Sequence, residues 1–158
     1  MAKKEIKTNA MRQLDKAGIA YEAVEYDLGD EEFSGEAVCR LTGIPAERSF
    51  KTLCASGSSG VCVFVVPVDS VLDLKKAAAA AGEKRVELLH VKDLVRLTGY
   101  ERGGVSPVGM KKQYPTFFEE TAQLYDIIGI SAGIKGCTIL VAPDAVTAFV
   151  SASYAPLV

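Results

Sequence analysis

Residues 50–66 read FKTLCASGSSGVCVFVV, two strand-like runs joined by a turn of serine and glycine. Apolar, β-branched runs flanked by turn residues form hairpins. The second run, VCVFVV, is apolar at every position. Both of its faces must therefore be covered, and it belongs inside a sheet rather than at an edge. Helical patterns before and after the hairpin can supply the covering layers. The expected fold is α/β in the α+β sense: a mixed β-sheet with antiparallel hairpins, surrounded by helices.

The other elements follow from periodicity and punctuation. Thr8 can cap a helix carrying Ala10, Met11, Leu14 and Ala17 on one face and stopped by Gly18. Residues 21–26 read as a strand, 36–41 as a helix halted by Gly43 and Pro45, and 74–81 as an alanine-rich helix ended by Gly82. Strands are expected at 85–89, 116–118, 123–128 and 137–141. Helices are expected at 91–97 and 143–150, the latter with proline in its first turn. No repeat or linker divides the 158 residues, so a single domain, 1–158, is expected.

Composition narrows the function classes. The net charge of −2 argues against broad capture of nucleic acid, but the charge is unevenly spread. Residues 51–112 hold 10 basic and 6 acidic side chains, against 7 and 10 before them and 1 and 4 after. That local excess suits contact with a phosphate-bearing ligand, and equally a set of solvated helix faces. Cys39, Cys54, Cys62 and Cys137 are scattered, and His90 is the only histidine. Neither a zinc site nor a disulfide framework follows from that spacing; small buried thiols do. No apolar run is long enough to span a membrane, and none follows the basic N-terminal residues as a secretory signal requires. A cytoplasmic protein without metal or cofactor is expected.

Two places can carry chemistry. Residues 98–112, TGYERGGVSPVGMKK, place Gly103, Gly104 and Gly109 among residues that suit neither helix nor regular strand. Exposed amides there, beside Lys111 and Lys112, could cradle a phosphate or a developing oxyanion. The same residues also make a turn-rich connection, and they lack the spacing of a Walker sequence or a dinucleotide turn. The second place is Lys51. Alternation along its strand sets it on one face with Leu53 and Ala55, opposite Phe50, Thr52 and Cys54. A lysine on a partly buried face needs a partner or a task, unless its stem snorkels to solvent.

Thr8-Asn9-Ala10, Ser49-Phe50-Lys51-Thr52-Leu53, Leu74-Lys75-Lys76-Ala77, Thr98-Gly99-Tyr100, Gly103-Gly104-x-Ser106-Pro107-x-Gly109-x-Lys111-Lys112 and Ser131-x-Gly133-x-x-Gly136 follow one another in that order. Together they resemble the YbaK/EbsC family over nearly the whole chain. These are free-standing aminoacyl-tRNA deacylases, similar to the editing domain inserted in bacterial prolyl-tRNA synthetase. The resemblance implies a barrel-like sheet and hydrolysis of mischarged tRNA, with cysteinyl-tRNA(Pro) and cysteinyl-tRNA(Cys) as substrates. The family lysine falls on Lys51, and the glycine loop on Gly103, Gly104, Ser106 and Pro107. Tyr21, Phe33, Ser34, Thr52, Ser131 and Gly133 fall where the family lines its pocket. On this basis Lys51 is expected to hold the terminal phosphate or ribose, and the Gly103–Gly104 backbone the aminoacyl carbonyl. In the cysteine branch the resemblance also implies that the substrate thiol attacks its own carbonyl and leaves as a cyclic thiolactone. The implied partners are the aminoacyl-tRNA acceptor end and, as a candidate, prolyl-tRNA synthetase. The chain departs from the family at Ile134, where relatives often carry a charge, and at Thr42, inserted into a common Leu-Gly pair.

The chemistry itself is compatible with so sparse a site. An aminoacyl ester is already activated, so its cleavage needs positioning and oxyanion stabilisation more than a strong protein base. Two rival readings remain open on sequence alone. One is a deacylase for alanyl or seryl esters on the same scaffold. The other is a non-catalytic module that binds tRNA or a synthetase through the basic middle segment.

Overall fold

The computed structural model describes residues 6–158. In chain order the elements are α1 (Asn9–Lys16), β1 (Tyr21–Glu25), α2 (Gly35–Thr42), β2 (Phe50–Gly57), β3 (Gly60–Pro67), α3 (Leu74–Ala81), β4 (Glu87–Leu88), α4 (Val91–Thr98), β5 (Thr116–Glu119), β6 (Ile128–Ser131), β7 (Cys137–Val141), α5 (Pro143–Phe149) and β8 (Ser153–Ala155). Local capping sets several helix starts. Thr8 Oγ1 accepts from the Met11 N–H at 3.2 Å, Ser34 Oγ from the Ala37 N–H at 3.0 Å, and Asp73 from the Lys75 and Lys76 N–H groups.

The strands form two sheets. One is antiparallel, in the order β1-β7-β6, and the other is mixed, in the order β4-β2-β3-β5-β8. The β2–β3 hairpin pairs from Phe50↔Pro67 to Gly57↔Gly60, and β3 runs parallel to β5. The all-apolar strand β3 is thus central, as its sequence demands. On one face of the mixed sheet, Phe50, Cys54, Val63, Val65 and Phe118 pack with Ile128, Ile130, Ile139 and Val141 of the smaller sheet and with Met11 and Leu14 of α1. On the other face, Ala55, Cys62, Phe64 and Val66 pack against Ala77 and Ala78 of α3 and against Leu157.

Three sequence expectations are corrected. The barrel-like sheet is not a closed one: among the described residues the two sheets remain separate and touch through one parallel bridge, Ser49↔Gly129. The strand expected at 123–128 is a 3-10 turn over Glu120–Leu124, followed by β6 from Ile128. The buried Glu119 carboxylate draws the Thr121 N–H into that turn at 2.7 Å, leaving Leu124 74% exposed. The strand expected at 85–89 shrinks to the two residues of β4, and β8 was not anticipated at all.

Candidate active site

The gap between the sheets makes the site. β3 pairs with the whole length of β2, but on the other side of β2 the backbone partners among the described residues are Gly129, bridged at Ser49, β4 at Ala55 and Ser56, and the Leu89 N–H, which donates to the Cys54 carbonyl at 2.9 Å. Between those points β2 has an open edge, and a cavity of about 500 Å³ lies against it. Residues from both faces of the strand, Lys51 and Leu53 as well as Phe50, Thr52 and Cys54, therefore line one space. Phe33, Ser34 and Val38 of the α2 region, Leu88, Leu89, Val91 and Leu94 around β4 and α4, Arg102 and Gly103, and Ile130, Ser131, Cys137 and Thr138 add to the walls.

Lys51 is half-buried and makes no ion pair among the described residues. Burial lowers its pKa from the ordinary lysine value, and the charge of Asp69 opposes that shift. An unpaired, partly desolvated cation in a cleft is what an anionic ligand would complete. The two cavity thiols are poor nucleophiles. Burial pushes Cys54 up to about 12, with a smaller push from Cys62, and burial likewise raises Cys137. Among the described residues no Asp, Glu or His lines the cavity, and no cluster of His, Cys, Asp or Glu could hold a metal ion.

The candidate residues divide between the cavity and its frame. Lys51, Thr52, Phe33, Ser34, Gly103 and Ser131 share the lining. Ser34 Oγ is occupied as the α2 cap. Thr52 Oγ1 is buried without a protein hydrogen bond. Tyr21 lies on β1, outside the lining, where its hydroxyl accepts from Lys7 Nζ at 3.1 Å. Ser106 and Pro107 are buried in the loop itself, and Ser106 Oγ accepts from the Val108 N–H at 3.2 Å. Gly133 backs onto Tyr100: a Cβ there would stand 2.9 Å from the ring. Gly104 faces the neighbouring loop, and a Cβ on it would meet the Ile134 backbone at 3.0 Å.

Gly104 and Gly133 thus let two glycine loops close on each other. Tyr100, whose ring lies against Gly133, braces its own loop by donating its hydroxyl hydrogen to the Val108 carbonyl. Lys111 and Lys112 lie outside the cavity; the stem of Lys111 lies along Gly99, and Lys112 Nζ sits 5.9 Å from the Tyr114 ring centre. Sequence reasoning missed Tyr26 and Arg102 in the wall. Arg102 had a legible signal, since it is the cation next to Gly103 within the singled-out loop. Tyr26 had none beyond its place at the end of a strand.

Comparison with known proteins bears on this cavity. The family profile for the aminoacyl-tRNA editing domain matches residues 31–149. A relative from Enterococcus faecalis, named "Putative Cys-tRNA(Pro)/Cys-tRNA(Cys) deacylase EbsC", is 45% identical over 160 residues, covering 99% of this chain and 98% of its own. A crystal structure described as "a putative trans-editing enzyme for prolyl tRNA synthetase" superposes with a TM-score of 0.83 at 23% identity, over 96% of this chain and 98% of that one. Another, of the hypothetical protein APE2540, gives 0.82 at 20% identity, over 92% and 96%. At these identities the two structures establish likeness of fold alone.

Proposed function

The chain belongs to the aminoacyl-tRNA editing domain family, and from that premise we propose that it deacylates cysteinyl-tRNA, with Cys-tRNA(Pro) and Cys-tRNA(Cys) as substrates. The observation that carries this reading is the chemistry of the cavity wall. Among the described residues Lys51 and Arg102 are its charged groups, its thiols are held protonated, and neither carboxylate nor imidazole lines it. Such a wall can bind and orient an anionic, activated ester but offers no conventional base or protein nucleophile. A substrate that brings its own nucleophile fits it.

In this mechanism the substrate thiol sulfur bonds to the ester carbonyl carbon. The bond from that carbon to the ribose oxygen breaks, and the thiol proton ends on the departing ribose hydroxyl. The products are free tRNA and a cysteine thiolactone, which water then opens to cysteine. Lys51 holds the ribose end or its phosphate. The Gly103 backbone at the wall positions the carbonyl, and Gly104 sets the spacing of the loop behind it. Ser34, Thr52 and Ser131 confine the aminoacyl group, and Phe33 closes the substrate pocket towards its mouth. At about 500 Å³ the cavity lies within the usual range of small-molecule sites.

The whole chain, 1–158, serves as one deacylase unit acting in the cytoplasm on the acceptor end. Selection of tRNA is supplied by association with a synthetase, prolyl-tRNA synthetase being the candidate. Among the described residues no helix is long and apolar enough to cross a membrane, which fits that setting. The test is a panel of aminoacyl-tRNAs with wild type and Lys51→Ala side by side. Rapid loss of the cysteinyl ester with wild type, abolished in a folded Lys51→Ala protein, is expected. A folded Lys51→Ala protein of full activity would remove Lys51 from the mechanism.

A further inference from the structure

Two cations flank Gly103 at the cavity rim, Arg102 as its neighbour in the chain and Lys135 packed against it, and the mechanism above gives neither of them a step. Arg102 comes from the loop after α4 and lines the cavity. Lys135 comes from the turn between β6 and β7, and its Nζ lies 6.0 Å from the centre of the Phe33 ring. Both side chains are exposed, and neither makes an ion pair among the described residues. Glu101, adjacent in the chain to Arg102, pairs with neither.

Gly103 brings these groups together. Its φ is +92°, and a Cβ there would lie 2.7 Å from Lys135 Cε and 3.2 Å from Phe33 Cγ. The missing side chain lets the lysine stem and the aromatic ring close over the loop that carries Arg102. The result is a lysine beside an aromatic ring, on the loop that carries a second cation without an ion pair, at the mouth of a cavity that no carboxylate among the described residues lines. Aromatic surface next to unpaired cations binds single-stranded nucleotides, the ring taking a base or sugar and the cations the phosphate.

We propose that Arg102 and Lys135 clamp the phosphodiester immediately 5′ of the terminal nucleoside, with Phe33 against that nucleoside. The inference rests on the deacylase reading for the identity of the ligand. It adds the point at which the RNA strand leaves the site, and it leaves Lys51 to the ribose. Because the clamp addresses a phosphate, it discriminates between nucleotide and nucleoside whether or not an amino acid is attached.

The test uses uncharged probes, so that it does not depend on ester cleavage. Adenosine and adenosine 5′-monophosphate are titrated by NMR into wild type, Arg102→Gln, Lys135→Met and the double variant. Methionine keeps the apolar stem over Gly103 and Phe33. Wild type should bind the monophosphate about tenfold more tightly than the nucleoside at low salt, as expected for charge-assisted contacts. The double variant should bind both alike. With the trinucleotide CCA, the double variant should also show a salt slope shallower by about 0.7, as expected for the loss of one neutralised phosphate on a single strand. Equal affinity of wild type for nucleoside and nucleotide, or an undiminished preference in the folded double variant, would overturn the clamp. Wild-type cleavage of Cys-tRNA, measured separately, decides the deacylase reading; a protein that cleaves the ester but shows no phosphate preference refutes the clamp alone.

Discussion

Replacing Gly103 by alanine tests the site's architecture directly. At φ +92° the residue lies in a region that side-chain-bearing residues rarely adopt, and holding alanine there costs about 1–3 kcal/mol. The new methyl would also stand 2.7 Å from Lys135 Cε and 3.2 Å from Phe33 Cγ. The lysine is flexible and can move cheaply, but the ring forms part of the cavity wall. For a chain of this length each kcal/mol corresponds to about 2–4 °C in Tm, so a fall of about 2–12 °C is expected. The displaced Phe33 and Lys135 should raise KM for cysteinyl-tRNA, because both border the mouth through which the acceptor end enters. Thermal unfolding followed by circular dichroism and steady-state deacylation give the two readouts. Gly104→Ala provides a contrast: its φ is not positive, and its methyl would meet the Ile134 backbone at 3.0 Å, so its penalty comes from separating the loops. A Gly103→Ala protein with wild-type Tm and KM would refute the claim that this glycine holds the rim together.

Two further perturbations probe the frame. Glu119 is 2% exposed and accepts from the Thr121 N–H at 2.7 Å and the Leu157 N–H at 3.0 Å, so Glu119→Gln should cost about 2–3 kcal/mol by replacing one acceptor oxygen with a donor. Burial alone would raise its pKa, but hydrogen bonds from Thr121, Leu157 and Val158 hold it below the ordinary glutamate value. Its stabilising contribution is therefore present above the unfolded pKa of about 4.3 and lost as pH falls through the folded value. Wild type should lose stability over that acid range more steeply than Glu119→Gln in denaturant titrations; parallel pH profiles would contradict this. Tyr100→Phe removes the hydroxyl bonded to the buried Val108 carbonyl and should cost about 1–2 kcal/mol in urea unfolding, with an unchanged midpoint as the contrary result.

What the sequence disclosed depended on whether the cause was local. The helix starts at Thr8 and in the α2 region follow from residues within one turn, and the hairpin 50–66 declares itself through its turn composition and its wholly apolar second strand. β8 pairs in parallel with β5 in the register Phe117↔Ser153, partners 36 positions apart in the chain, and no local signal announces that partnership. The misplaced strand at 123–128 has a comparable origin: the Glu119 carboxylate that shapes the turn is held from the far side by the Leu157 N–H, 38 positions away. At the site, alternation was enough to single out Lys51. The open edge of β2, which puts both of its faces into one cavity, arises only when the two sheets fail to close. The glycine loop was legible as a special segment, but its division of labour was not. Gly103 reaches the wall, whereas Gly104 and Gly133 serve the packing of one loop on another.

Among the described residues no carboxylate or imidazole lines the cavity, and its thiols are kept protonated, so the reaction should depend on the nucleophile that the substrate carries. Comparing Cys-tRNA with Ser-tRNA on the same tRNA body changes one atom, sulfur to oxygen, at nearly constant size. With wild-type enzyme the cysteinyl ester should be cleaved while the seryl ester survives at its uncatalysed rate. Comparable cleavage of both esters would contradict substrate-thiol attack and require a nucleophile from the protein or from water.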